Sequence, residues 1–309
     1  MPVKIITDSA SDLSPEIVKE LGITVIPVYV SVSGQSYRDG VDISLDEIYQ
    51  KMAEGNILAT TSQPLPTDFA EVYRRLLQET DEILSIHVSS RLSGTYNSAI
   101  KGQELANGNG RIEVLDSTSV SIGVGLLTIA AARLAQAGAN LSHIITETKR
   151  AADRIHIWGL LDTLKYALRS GRLSKGKAVL GSLLAVKPMI TAKQGEVTSA
   201  GIVRTRQKGI DKLVSNLCGV AETEEVCIAH STDSIEAQSL KSRLSAILDE
   251  KQIHISRLGL AIGGHTGPGT LVMALREKLP AAENVIKNKG KKLIDLPSLR
   301  LPRFSIMPL

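Results

Sequence analysis

Apolar and polar positions along this chain follow two rhythms, and the change between them falls near residue 152. Before it, short apolar runs at 3–6, 83–88 and 111–115 each end in a polar turn and give way to a helical pattern. The first such helix is bounded by Ser14 as N-cap, Pro15 at its first position and Gly22 as its stop. Residues 23–32 form a further apolar run closed at Gly34, and Ser44-Leu45-Asp46-Glu47 is a capping box opening a helix to about Glu54. Residues 60–67 are polar and Pro-containing and are predicted to form a connecting loop, with Thr67 capping the next helix. Ser93 is the predicted N-cap of a helix ending near Asn107, and a long apolar helix follows Asp116-Ser117 to about Ala137.

After residue 152 hairpins join the helices. A strand at 155–161 and a short helix at 163–170 lead to the Gly171-Arg172-Leu173-Ser174-Lys175 turn and a helix to about Leu184. Strands at 186–191 and 196–203 flank Lys193-Gln194-Gly195 as a β-hairpin. A helix at 205–218, a strand at 225–230, a helix from Asp233 and a last strand at 254–262 follow, the last running into the glycine-rich loop 263–269. The prediction is an α/β protein of two domains. Residues 1–153 form a Rossmann-like parallel sheet with helices on both faces, and 154–280 an α+β domain with a mixed or antiparallel sheet. The segment at about 60–80 is a candidate to pack with the second domain, and 281–309 is a basic tail assigned to neither.

Composition narrows the function. At 43% hydrophobic and 22% charged the chain is globular, and 3% aromatics leaves its interior to Leu, Ile, Val and Ala. Stacking platforms for single-stranded nucleic acid need more aromatic faces than that. The net charge of +4 sits wholly in residues 281–309, so the body is neutral and no nucleic-acid partner is expected. Cys218 and Cys227 lack metal-ligand spacing and read as reduced packing residues, which places the protein in the cytoplasm. No apolar run reaches the ~18 residues of a membrane span, so membrane contact is at most transient.

Five polar turns interrupt this aliphatic chain: Thr7-Asp8-Ser9, Thr61-Ser62-Gln63, 89–96, Asp116-Ser117 and 263–269. Brought together they make a patch of hydroxyls and backbone amides with one histidine, suited to an anion or a carbonyl oxygen. The six histidines lack paired spacing, and neither GxGxxG nor GxxxxGK[ST] occurs, so no metal, dinucleotide or other cofactor is expected. Two rival readings stand beside an anion-binding carrier. One is a serine esterase or thioesterase using Ser93 and His265 with Asp8 or Asp116, although Arg91-Leu92-Ser93-Gly94 is not a G-x-S-x-G elbow. The other is a DNA-binding regulator, which the neutral body disfavours.

Thr7-Asp8-Ser9, Thr61-Ser62-Gln63-Pro64, Ser89-x-x-Leu92-Ser93-Gly94-Thr95-Tyr96, Gly171-Arg172-Leu173-Ser174 and Gly263-x-His265-x-Gly267-Pro268-Gly269, in that order, resemble the signature of the bacterial DegV family. The resemblance implies a fatty-acid-binding protein, a carrier rather than an enzyme, with a long-chain fatty acid as its ligand and a fatty acid kinase subunit as its partner in phospholipid metabolism. It implies that Thr61, Ser93 and His265 hold the carboxylate, with Ser62, Gly94 and Thr95 beside them. Thr7, Asp8, Ser9, Asp116 and Ser117 are then supporting residues, and Arg172, Arg204 and Arg206 face the kinase. The chain departs from the family after about residue 280, where members end and this one continues.

Overall fold

The computed structural model describes residues 2–55, 57–173 and 186–279. The chain opens with β1 (Lys4–Asp8) and a one-turn 3-10 helix at Ser9–Ser11, then α1 (Pro15–Leu21). The Ser14 hydroxyl accepts from the Ile17 amide at 3.4 Å, and Gly22 ends α1 at φ 63°. The 23–32 run, expected to continue as one stretch, is broken into β2 (Thr24–Ile26) and β3 (Tyr29–Val32), which join different sheets. β4 (Gln35–Arg38) and α2 (Leu45–Ala53) follow. The predicted loop at 60–67 is instead β5 (Ala59–Ser62) and the start of α3 (Pro66–Leu76). The cap there is Leu65, not Thr67: Pro66 takes the first helical position and the Asp68 carboxylate accepts from the Leu65 amide at 2.8 Å.

β6 (Glu82–His87), α4 (Thr95–Ala106), β7 (Arg111–Asp116), α5 (Ile122–Gln136) and α6 (Leu141–Ala152) complete the first half. Then come β8 (Ile155–Leu160), α7 (Lys165–Ser170), β9 (Lys187–Lys193), β10 (Glu196–Val203), α8 (Arg206–Cys218), β11 (Thr223–His230) and α9 (Ser234–Leu244). The helix expected up to Leu184 lies outside the described residues. The predicted last strand ends early: β12 is Ile253–Arg257, and the stretch read as strand and loop is a helix, α10 (Leu260–Thr266). A further strand, β13 (Leu271–Glu277), lies in the middle of the second sheet.

Residues up to Glu277 form one compact unit. Strands β2-β1-β6-β7 make a parallel sheet, β10-β9-β8-β13-β11-β12 a mixed one, and β4-β3-β5 a small antiparallel one. This is the predicted pairing of a parallel sheet with a mixed one. Because α5 is apolar on every side, it is buried. It packs on both larger sheets, joining Leu84 and Ile86 of one to Ile157, Val272 and Ala274 of the other. Outer layers close the sandwich: Phe69, Tyr73 and Ala99 cover the parallel sheet, and Ile210, Leu213 and Leu240 the mixed one. Cys227 is buried in β11, as expected of a packing residue, but Cys218 ends α8 exposed.

Candidate functional site

Three of the polar turns converge on one cavity of about 370 Å³. The end of β5 supplies Thr61 and Ser62 with neighbouring Gln63, the β6–α4 turn supplies Ser90 to Gly94, and α10 supplies His265. Thr61 Oγ1 and His265 Nε2 are 2.8 Å apart, residues 204 positions distant in sequence. Most of the remaining lining is aliphatic, with Ser121, Ser170, Arg172, Thr191 and Thr266 among it. Val28, Val88 and Val120 come from the side of the parallel sheet, and Ile157, Ile190 and Val272 from the mixed sheet. The β9–β10 hairpin docks its tip on the β6–α4 turn. There the Ser89 hydroxyl donates to the Gly195 carbonyl at 2.9 Å and Arg91 pairs with Glu196 at 3.0 Å.

Gly94 stands immediately before α4 with dihedrals already helical (φ −75°, ψ 0°) and no side chain to cap with, so the side-chain capping bond comes from Ser93, one residue earlier, as predicted. The Ser93 hydroxyl lies 2.8 Å from Thr95 Oγ1 and accepts from the Thr95 amide at 3.3 Å. Gly94 admits Gln63: a Cβ there would stand 3.0 Å from the Gln63 amide carbon, so the glycine lets two turns meet. Thr95 is buried behind Ser93 and reaches the cavity only through it.

His265 is pushed to a pKa of about 4, first by burial and then by the charge of Arg172 nearby. Its imidazole is therefore neutral at neutral pH, with one nitrogen donating and one accepting. With the proton on Nε2, Thr61 Oγ1 accepts that bond and its own O–H is free to donate into the cavity. The rim carries Arg91 and Arg172, both exposed, and Arg172 donates to the Ser170 carbonyl at 2.6 Å.

The other sequence-predicted residues lie behind the walls. Asp8 is buried, and its carboxylate accepts from the Ala10 amide (3.0 Å), the Val88 amide (3.1 Å) and His87 Nδ1 (2.9 Å). His87 Nε2 in turn meets the Ser85 hydroxyl at 2.7 Å, which accepts from Tyr73 at 2.9 Å. Each member of this buried chain has its partner, so its role is structural. Thr7 is fully buried in β1 and lies outside the cavity lining, like Ser9, Asp116 and Ser117. Asp116 accepts from the Thr118 amide at 2.9 Å, and Ser117 from the Ser119 amide at 3.1 Å, which shapes the turn after β7. Arg206 is held by Glu236 at 2.7 Å through Nε and lies 3.5 Å from Asp162, whereas Arg204 is exposed. Among the described residues no group of three metal-ligating side chains is found, and no helix is long and apolar enough to cross a membrane.

Sequence reasoning missed the walls. Ile157, Ile190 and Val272 come from three strands of one sheet, and nothing in their local sequence sets them apart from other apolar strand residues. It also missed the helical setting of His265, treated below.

The family model described as "Uncharacterised protein, DegV family" matches residues 2–278. A DegV domain-containing protein of Caldanaerobacter subterraneus subsp. tengcongensis is 34% identical over 279 residues, spanning 89% of this chain and 99% of the relative. Among solved structures, a DegV family protein from Thermus thermophilus described for its fatty acid binding superimposes with a TM-score of 0.83 at 35% identity. It covers 90% of this chain and all of its own. A stearic-acid-binding protein from Eubacterium ventriosum matches with a TM-score of 0.79 at 28% identity, covering 89% of this chain and 98% of its own.

Proposed function

The chain belongs to the DegV family, and on that premise we propose that it carries a long-chain fatty acid in the aliphatic cavity, the carboxylate held by Thr61, Ser93 and His265. The observation that carries this reading is the make-up of the cavity: aliphatic side chains from both large sheets line it together with Ser93 and the bonded Thr61–His265 pair. A carboxylate taken out of water needs donors, or its desolvation is prohibitive. The donors this site offers are the Ser93 hydroxyl and one from the Thr61–His265 pair: the Thr61 O–H when the proton of the neutral imidazole sits on Nε2, or Nδ1–H when Nε2 accepts from Thr61.

Magnitudes divide the labour. Each buried methylene contributes ~0.8 kcal/mol, so a long acyl chain offers roughly 10 kcal/mol before ordering costs. Each hydrogen bond to the charged head adds ~1.5–3 kcal/mol. The chain therefore supplies affinity and the head site sets depth and direction. Carrier function in this reading needs no cofactor, and the acid is presented in the cytoplasm to a fatty acid kinase subunit that makes the acyl phosphate. Arg172 and Arg91 at the rim suit an acidic partner or a transferred phosphate.

An esterase reading asks for a Ser93–His265 bond with an aspartate behind it. His265 Nε2 is bonded to Thr61, Ser93 to Thr95, and the histidine beside Asp8 is His87, so the bonds formed are not those of a Ser93–His265–Asp triad, which favours the carrier reading. The test is Ser93→Ala, which removes one donor to the headgroup and is expected to weaken oleate binding by about 1–3 kcal/mol in a fluorescence titration. Unchanged affinity removes Ser93 from the site.

A further inference from the structure

The helix that carries His265 has no cap of its own. α10 is seven residues long, well short of the ~12–15 at which a helix holds in isolation, and its N-cap is Gly259, which has no side chain. Its first amides are met from elsewhere. The Gly259 amide donates to Asp12 Oδ1 at 2.8 Å, the Leu260 amide to Asp39 Oδ1 at 2.8 Å, and the Ala261 amide to Asp39 Oδ2 at 3.0 Å. Both carboxylates are buried and tied back to the cavity wall. The Ser121 hydroxyl donates to Asp12 Oδ2 at 2.6 Å, and the Ser9 hydroxyl to Asp39 Oδ2 at 3.1 Å while accepting from the Val28 amide at 3.0 Å. Ser121, Val28 and Ala261 all line the cavity, and His265 follows Ala261 by one helical turn.

We propose that Asp39 and Asp12 are positioning residues of the head site: they fix the first turn of α10 and thereby hold the His265 imidazole against Thr61. The inference rests on the carrier reading for its ligand but not for its geometry. Two features favour positioning over plain stabilisation. Ser121, bonded to Asp12, stands at φ 54° and ψ −143°, a conformation that a non-glycine residue keeps only where the surroundings impose it. Tyr49 braces the same turn by donating to the Leu258 carbonyl at 3.0 Å, so three separate segments fix one short helix. Burial raises the pKa of both aspartates, and that of Asp12 strongly, with Asp8 and Asp39 adding like charge to Asp12. The bonds from Ser121 and Gly259 to Asp12, and those from Ala261, Leu260 and Ser9 to Asp39, oppose the rise.

The experiment is Asp39→Asn in the full chain, with two readouts: the ring-nitrogen NMR signals of His265 across pH in ligand-free protein, and oleate affinity. Asn presents an amide N–H where a backbone N–H needs an acceptor. The His265 pKa is expected to rise from about 4 toward its ordinary 6.5 while the His156 and His254 signals stay in place, and oleate Kd to rise about ten-fold. A His265 titration identical to wild type, with Kd within about twofold, overturns the proposal. Should Asp39→Asn fail to fold, Ser9→Ala removes a single donor to Asp39 and is expected to move both readouts the same way, by about threefold in Kd. Wild-type behaviour of Ser9→Ala in that case overturns it. A wild-type protein that binds no oleate defeats the carrier reading, and the ligand-free His265 titration still decides the role of Asp39.

Discussion

Gly263→Ala is expected to lower stability by about 3 kcal/mol in urea denaturation, with a parallel loss of oleate binding. An ideal Cβ at Gly263 would lie 1.6 Å from the Tyr49 hydroxyl and 2.5 Å from the ring carbon that bears it. Neither side has room to yield. Tyr49 is buried and bonded to the Leu258 carbonyl, and the backbone of α10 is held by Asp12 and Asp39. The adjacent position is the control. A Cβ at Gly264 meets the Ala59 Cβ at 3.2 Å, a contact that a few tenths of an ångström relieves. Replacing glycine inside a helix regains about 0.5–1 kcal/mol, so Gly264→Ala should stay within about 1 kcal/mol of wild type. Equal midpoints for the two variants would contradict this account of the helix.

Glu225→Gln is expected to cost about 3–5 kcal/mol and to remove much of the acid sensitivity of the fold. Glu225 is buried in β11 among three partners: Arg133 of α5 at 2.8 Å, Arg276 of β13 at 3.1 Å and His254 of β12 at 2.6 Å. Burial alone would raise its pKa. The bond to His254 and the charges of Arg133, Arg276 and His254 outweigh burial and bring it to about 2. Gln keeps the shape and removes the charge, leaving Arg276 buried with one fewer counter-ion. Because folding lowers the pKa from 4.5 to about 2, the stabilisation is complete above about pH 4.5 and drains as pH falls toward 2. The full difference is about 3 kcal/mol. Stability measured from pH 7 to pH 2.5 should fall less steeply for Glu225→Gln than for wild type below pH 4.5. Parallel curves would show that the carboxylate is not the group that titrates.

Most of the fold was legible because local signals agreed with tertiary packing. Ser14, Pro15 and Gly22 bound α1 as read, and the all-round apolar pattern of α5 needed a buried place, which the two sheets provide. The readings that failed did so where distant partners decide. The Leu-Ala-Ile-Gly-Gly-His-Thr sequence of α10 carries two glycines and reads as strand and loop by propensity. It is helical because Asp39 and Asp12 cap it from over two hundred residues away and because Tyr49 and Ala59 occupy the space that glycine leaves. Likewise residues 60–62, at the start of the predicted loop 60–67, are a strand only because they pair with β3. The family resemblance picked out Thr61, Ser93 and His265, which line one cavity, but the cavity walls are a property of two sheets facing each other, which no local motif records.

The most direct test of the central claim is organic extraction of the full chain after expression in a bacterial host, followed by mass spectrometry of the extract and titration of the emptied protein with palmitate and oleate. The account predicts long-chain fatty acid in the extract at about one molecule per chain, and saturable re-uptake at the same stoichiometry. Protein that emerges free of lipid and takes up neither acid would contradict it.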